Sequence, residues 1–306
     1  MPRWEYQPLL TTVVGSYPTG DLPPRRAVQR AVEEQIAAGV ELISDGQVRA
    51  DMIALFAARI PGFRQADDGT WEIEAALDLP DGPIAAADNA LARRIAAGRA
   101  RVKGIVTGPV TLALATRVTS SAPYVGPTDP ALILRLAEIL AHEVAALVAA
   151  GAEVVQVDEP ALAGALGRRV SPELVENALR DLAALPACPA LHVCGDIRRI
   201  ADELLTLPFA VLDIEGTRVD NLAAIDPDQL EVADMRLSYG CVDTQAPAAD
   251  SVEVVTERIR AALRVAPARQ LWVSPDCGLR LAAPELAHVQ LANMVAAART
   301  LRLELA

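Results

Sequence analysis

Short runs of Val, Ile, Leu and Thr alternate along this chain with longer stretches whose apolar residues recur every three to four positions. The runs predict strands and the longer stretches helices. Thr11–Ser16 (TTVVGS) is the first run, closing on Gly–Ser before Tyr17–Pro18. Pro23–Gly39 then sets Ala27, Val28, Ala31, Val32 and Ile36 on one face, with Gly39 in the stop position. Val40–Asp45, Arg101–Pro109, Glu153–Pro160, Pro189–Ile197, Phe209–Glu215, the LSYGCVD of Leu230–Asp243, and Leu271–Pro275 complete a set of eight runs. Helices are expected at Pro130–Gly151, at Pro172–Leu185 behind a Ser171 cap, and at Arg199–Leu207, Ser251–Val265 and Pro284–Leu301. The helices after the third and sixth runs are blurred. Between Met52 and Gly98 the pattern breaks at Pro61–Gly62, Asp67–Asp68–Gly69 and Asp81–Gly82–Pro83, while Thr70–Leu77 alternates like a surface strand. That predicts an insertion over 53–98 carrying a hairpin. Eight strands and one insertion in 306 residues predict an α/β fold. It is a single TIM (β/α)8 barrel domain over 1–306 rather than a doubly wound open sheet.

Composition narrows the partners. A formal net charge of −12 leaves no basic footprint for nucleic acid or an anionic membrane surface. The 52% hydrophobic content supports a sizeable core, and no apolar stretch long enough for a membrane span is present. The N-terminal MPRWEYQPLL has no apolar signal core, so a cytoplasmic protein is expected. Four cysteines, Cys188, Cys194, Cys241 and Cys277, are too few and too scattered for a disulfide scaffold.

In a barrel of this kind, chemistry collects at the C-terminal ends of the strands. Ser16, Asp45, Thr107, Asp158, Glu159, His192, Cys194, Glu215, Asp243, Asp276 and Cys277 all fall there. His192 and Cys194 are two residues apart and on a strand point the same way. They are two soft ligands on one face, and Cys277 and Glu215 at other strand ends are placed to complete a site for Zn2+. The pair alone also suits a buried polar residue beside a small apolar one. Cys277, in a Pro275–Gly278 loop with no packing role for it, favours the metal; Cys188 and Cys241 read as structural. Asp158–Glu159–Pro160 reads either as an acid/base or amino-group site or as a solvated capping loop. His142 and His288 lie in helical segments as filler. No G-x-S-x-G, P-loop or G-x-G-x-x-G occurs.

At this point the chain resembles the C-terminal catalytic barrel of cobalamin-independent methionine synthase. The resemblance is carried by TTVVGSYP (Thr11–Pro18), SDGQVRADM (Ser44–Met52), VKGIVTGPVT (Val102–Thr111), VQVDEPAL (Val155–Leu162), LHVC (Leu191–Cys194), DIE (Asp213–Glu215) and LWVSPDCGLR (Leu271–Arg280). It implies a barrel of the uroporphyrinogen decarboxylase/methionine synthase type that moves a methyl group to the thiolate of homocysteine. It implies Zn2+ on His192, Cys194, Glu215 and Cys277. It also implies that Ser16 and the backbone near Val14–Gly15 hold the amino-acid carboxylate while Asp158 holds the ammonium. The chemistry is consistent, since the thiolate is the nucleophile and zinc deprotonates a coordinating thiol.

The departures concern both substrates. Gln47 stands where the family's Asp-Gly-Glu sets a glutamate near the ammonium, and one barrel is expected here where long family members have two. Gln245 stands where the family has an acid histidine, in Cys241–Val242–Asp243–Thr244–Gln245. Glutamine is no general acid at neutral pH, and a methylated corrinoid needs none. The expected donor is therefore methylcobalamin or a methylcorrinoid protein. The alternatives are methyltetrahydrofolate, with Asp243 or water replacing the acid; another thiol acceptor such as coenzyme M; and a zinc- or corrinoid-binding protein without activity. Arg49, Lys103 and Arg280 near strand ends are candidate local positive charges for a folate tail.

Overall fold

The structure is a computed structural model that describes residues 7–305; the first six residues of the N-terminal stretch considered above lie outside it. Among the described residues there are twelve strands. In chain order they are β1 (Leu10–Thr11), β2 (Leu42–Ile43), β3 (Phe63–Gln65), β4 (Trp71–Ile73), β5 (Arg101–Val102), β6 (Gly104–Thr107) and β7 (Arg117–Val118). They continue with β8 (Val154–Asp158), β9 (Cys188–Val193), β10 (Val211–Ile214), β11 (Arg236–Val242) and β12 (Leu271–Pro275). Seven of them form one curled parallel sheet in the order β1-β12-β11-β10-β9-β8-β6. β2 and β5 form a parallel pair. β5 runs into β6 through Lys103, whose N–H reaches the Ile43 carbonyl, and Thr12 bridges to Leu42. The α/β class and the parallel sheet are as expected.

Side chains alternate across this sheet with period two. Leu9, Ile43, Val155, Val157, Leu191, Val193, Leu212, Ile214 and Val273 pack outward into the large core shared with the helices. Leu10, Leu42, Val154, Cys188, Ala190, Val211 and Trp272 form a separate apolar cluster on the other face. Further along the same strands that face turns polar: Gln156, Asp158, His192, Asp213, Ser238, Ser274 and Asp276 are all buried. The apolar cluster thus seals one end of the curled sheet, and the opposite end carries the chemistry.

Several boundaries shift from the sequence reading. The third run breaks at Lys103 into β5 and β6, and it is followed by helices Pro109–Leu114 and Pro130–Ala149. After β10 come a 3-10 turn, Leu222–Ala224, and helix Pro227–Val232, which shortens the seventh run to Arg236–Val242. Cys188, placed ahead of the fifth strand by its flanking prolines, is its first residue and is fully buried. Residues 53–98 do hold an antiparallel hairpin, β3 with β4, and β7 adds to it in parallel. They also hold an 11-residue helix, Ala86–Ala96, that the punctuation had hidden. Its first turn is fixed from a distance: the buried Glu143 carboxylate accepts from the N–H groups of Ile84, Ala85 and Ala86. No local capping residue signals that start, so periodicity alone misses it.

Candidate metal centre

Asp158, His192 and Asp213 are register partners on β8, β9 and β10, so they form a row across the polar end of the sheet. His192 is 2% exposed. Its Nδ1 donates to Asp213 Oδ1 at 2.6 Å. Nε2 is buried with no nitrogen or oxygen partner, and the thiols of Cys194 and Cys277 face the ring. Candidate ligand atoms of His192, Cys194 and Cys277 all lie within 4.8 Å of one another. A buried imidazole nitrogen without a partner is costly in a folded protein. One turned toward two sulfurs, with its other nitrogen tied to a carboxylate, is the arrangement by which a histidine ligand is oriented for a metal. The donor set therefore fits a tetrahedral ion with three protein ligands and one position left over.

The two thiols are shifted in opposite directions by their contact. Cys277 is pushed down to about 4, first by the hydrogen bond from the Cys194 thiol and then by His192. Cys194, donating that bond in a buried setting, is driven up instead. Burial works against a charged His192, but Asp213 and the two sulfurs outweigh it and raise its pKa well above the ordinary value. The pocket favours a negative sulfur at Cys277.

Glu215 lies outside the three-residue cluster. Its Oε2 accepts from the N–H of Gly195, one residue past Cys194, at 2.8 Å. Asn221 braces that corner, donating to the carbonyls of Gly195 and Glu215. On the other side, Cys277–Gly278 packs against Ser16: a Cβ on Gly278 would fall 2.1 Å from Ser16 Oγ. The Leu279 N–H also donates to the Ser16 carbonyl.

A cavity of about 380 Å³ opens above these groups, lined among others by Val14, Ser16, Gln47, Asp158, His192, Cys194 and Cys277. Most of the residues singled out for the acceptor thus share one chamber with the three candidate ligands; Gly15 is buried between Val14 and Ser16. Gln47 sits in the left-handed region at φ 43°, with its Nε2 buried and unpartnered. Asp158 accepts from Gln156 Nε2 at 2.6 Å, and burial pushes its carboxyl up to about 6. Glu159 turns the opposite way. It is fully buried and accepts from Val110 N, Thr111 N and the Thr111 hydroxyl, capping helix Pro109–Leu114. Gly108 is needed there, because any Cβ would collide with the Glu159 side chain at 2.2 Å. The two adjacent carboxylates are therefore neither an acid/base pair nor a solvated loop.

Asp243 and Gln245 are not among the residues lining that cavity. Asp243 Oδ1 accepts from the Gln245 N–H, and exposed Gln245 Oε1 accepts from Arg218. Of the candidate positive charges, Arg49 pairs with Asp88 and Lys103 is buried among the strands, while Arg280 lines the cavity and donates to the Gln47 carbonyl. Asp213 and Gln156 had no assigned role in the sequence reading, and Lys103 was read only as a candidate charge for a folate tail. Their period-two spacing from Glu215 and Asp158, and the place of Lys103 beside β6, were the available signals.

Residues 21–300 match the family model described as cobalamin-independent synthase, catalytic domain. The chain belongs to this family. It is 36% identical over 314 residues to the methionine synthase of Methanothermobacter thermautotrophicus, covering 95% of this chain and 99% of that one. It is 28% identical to the 5-methyltetrahydropteroyltriglutamate–homocysteine methyltransferase of Nitratidesulfovibrio vulgaris, where the match covers 92% of this chain but 38% of the relative. Among solved structures, a B12-independent methionine synthase from Shewanella sp. W3-18-1 shares the fold with a TM-score of 0.80 at 19% identity, covering 97% of this chain and 99% of that one. Among the described residues no helix is long and apolar enough to cross a membrane.

Proposed function

We propose that this chain is a zinc-dependent homocysteine methyltransferase that makes methionine with a methyl-folate as donor. The observation that carries the reading is the buried, unpartnered Nε2 of His192 facing two thiols on the wall of a cavity that Asp158 also lines. The names of relatives across the family support the acceptor. They also revise the donor. The family is described as cobalamin-independent, and several relatives are named for 5-methyltetrahydropteroyltriglutamate. The corrinoid preference that rested on Gln245 is therefore replaced by its folate alternative. We also read the curled sheet, continued through β2 and β5 toward β1, as one (β/α)8 barrel spanning the chain, with the hairpin segment inserted between two of its strands.

His192, Cys194 and Cys277 would hold the zinc, with Glu215 as the neighbouring carboxylate ligand. When bound, zinc converts the acceptor's thiol to a thiolate, which is the methyl-accepting nucleophile. Asp213 fixes the tautomer of His192 by accepting the hydrogen bond from its Nδ1–H. Asp158 receives the acceptor's ammonium, Gln47 lies beside it, and Ser16 with the Val14–Gly15 backbone receives the carboxylate. As the methyl group leaves, its bond to nitrogen breaks, a carbon–sulfur bond forms and the folate nitrogen takes up a proton. Gln245 has no proton to give and Asp243 does not line the cavity, so water delivers it. The test is methionine formation from homocysteine with methyltetrahydrofolate against methylcobalamin, in zinc-replete protein. Turnover with the folate is expected. Turnover with methylcobalamin alone would overturn the donor, and methionine from neither would overturn the reading.

A further inference from the structure

Arginine fills every basic position of this chain except one: of 28 Lys and Arg residues, Lys103 is the single lysine. Among the described residues it is also the one buried side chain of the Lys and Arg set, at 2% exposure. Position 103 therefore holds a cation that the chain's default residue does not supply. Its backbone is pinned on both sides, the N–H to the Ile43 carbonyl and the C=O to Asn89 Nδ2. Its Nζ donates to Gln156 Oε1. Gln156 in turn donates through Nε2 to the Val14 carbonyl at 2.8 Å and to Asp158 Oδ1 at 2.6 Å.

The donor and acceptor inventory makes this chain of contacts directional. An ammonium only donates, so the amide of Gln156 must turn its oxygen to Lys103 and its nitrogen to the two acceptors. A guanidinium would bring five donors in a rigid fork to a place where the lysine ammonium meets Gln156 Oε1 as its side-chain acceptor. Burial pulls the Lys103 amine down to about 8, against the attraction of Asp213 and Asp158. A charged group kept at that cost is poorly explained as a stabilising element.

We propose that Lys103 is a positioning residue for acceptor recognition: by orienting Gln156 it fixes the Asp158 carboxylate and the Val14–Ser16 backbone that line the acceptor's end of the cavity. This rests on the acceptor reading above. Lys103 touches neither the candidate metal ligands nor the space where the acceptor would lie, and it acts only through Gln156.

The test uses the zinc-replete full chain as wild type, K103M, K103R, Q156L and K103M/Q156L. K103M and Q156L should each raise the KM for homocysteine about tenfold or more while kcat changes less. The double variant should be no worse than either single, because one relay is broken in each case. K103R should not restore affinity. Being unique, Lys103 also gives a direct readout: protein labelled with lysine carrying nitrogen-15 at Nζ yields one side-chain signal, which should move when homocysteine is added. If the wild type neither binds homocysteine nor makes methionine, the acceptor reading fails. If it does both, the Lys103 role is overturned by a still signal, by full affinity in K103R or by additive losses in the double variant. Should K103M fail to fold, Q156L and K103R decide the matter.

Discussion

At the scale of single residues, one-residue steps along a strand divide the labour. Asp158 and Glu159 are chemically alike and adjacent, yet one lines the cavity and the other caps a helix behind the sheet. Asp213 and Glu215 are two apart and both act at the polar end, one on the His192 ring and one on the loop after Cys194. The Asp213 contact makes a sharp prediction. Asp213→Ala removes the group that orients His192, so zinc affinity should fall 10- to 100-fold in competition with a chromophoric chelator. An affinity equal to that of the wild type would show that the imidazole is held by packing alone.

At the scale of elements, the ends of the chain are tied together. Arg302, on the last helix (Pro284–Leu305), donates to the carbonyls of Pro8 and Leu9 and to both oxygens of Glu41. Glu41 also accepts from the Thr11 N–H in β1. Burial works against its charge, but the bonds from Arg302 and Thr11 prevail and hold it below the ordinary 4.5. A carboxylate with a depressed folded pKa stabilises above its unfolded value and loses that contribution as pH falls through the folded one. Arg302→Leu should therefore cost about 1–3 kcal/mol in urea unfolding at neutral pH. The gap to wild type should narrow below pH 4.5, where Glu41 begins to take up its proton. A gap that stays constant down to about pH 3 would assign the loss to packing of the arginine stem instead.

At the scale of the whole molecule, the three candidate ligands come from the ends of β9 and β12, which are separated in the sheet by β10 and β11. A metal held there joins distant parts of the curled sheet. Removing zinc with a chelator should lower Tm, and readdition should restore it, as mass action requires for a ligand of the folded state. His192→Ala should have a lower Tm that no longer responds to chelator. A wild-type Tm indifferent to zinc would remove the metal from the folded state. Charge works at this scale too: at −12 the molecule offers a polyanionic folate tail no general attraction, and the nearby Arg49 and Arg280 are engaged within the protein. Any such tail must be met by groups at the rim of the cavity.

The sequence by itself determined the α/β class, most strands to within a few residues, and the three residues that converge at the candidate metal centre. These features are local. Period two puts His192 and Cys194 on one side of a strand, and apolar runs mark strands wherever they fall. The helix Ala86–Ala96 was hidden because its cap, Glu143, lies far away in the chain. Glu159 was left open between a chemical and a capping role because only the packed helix N-terminus shows what its carboxylate satisfies. Lys103 looked like a strand-end charge until the sheet closed around it and gave its ammonium one side-chain partner. In each of these cases the deciding contact joins residues brought together by the curl of the sheet, and no spacing along the chain records that.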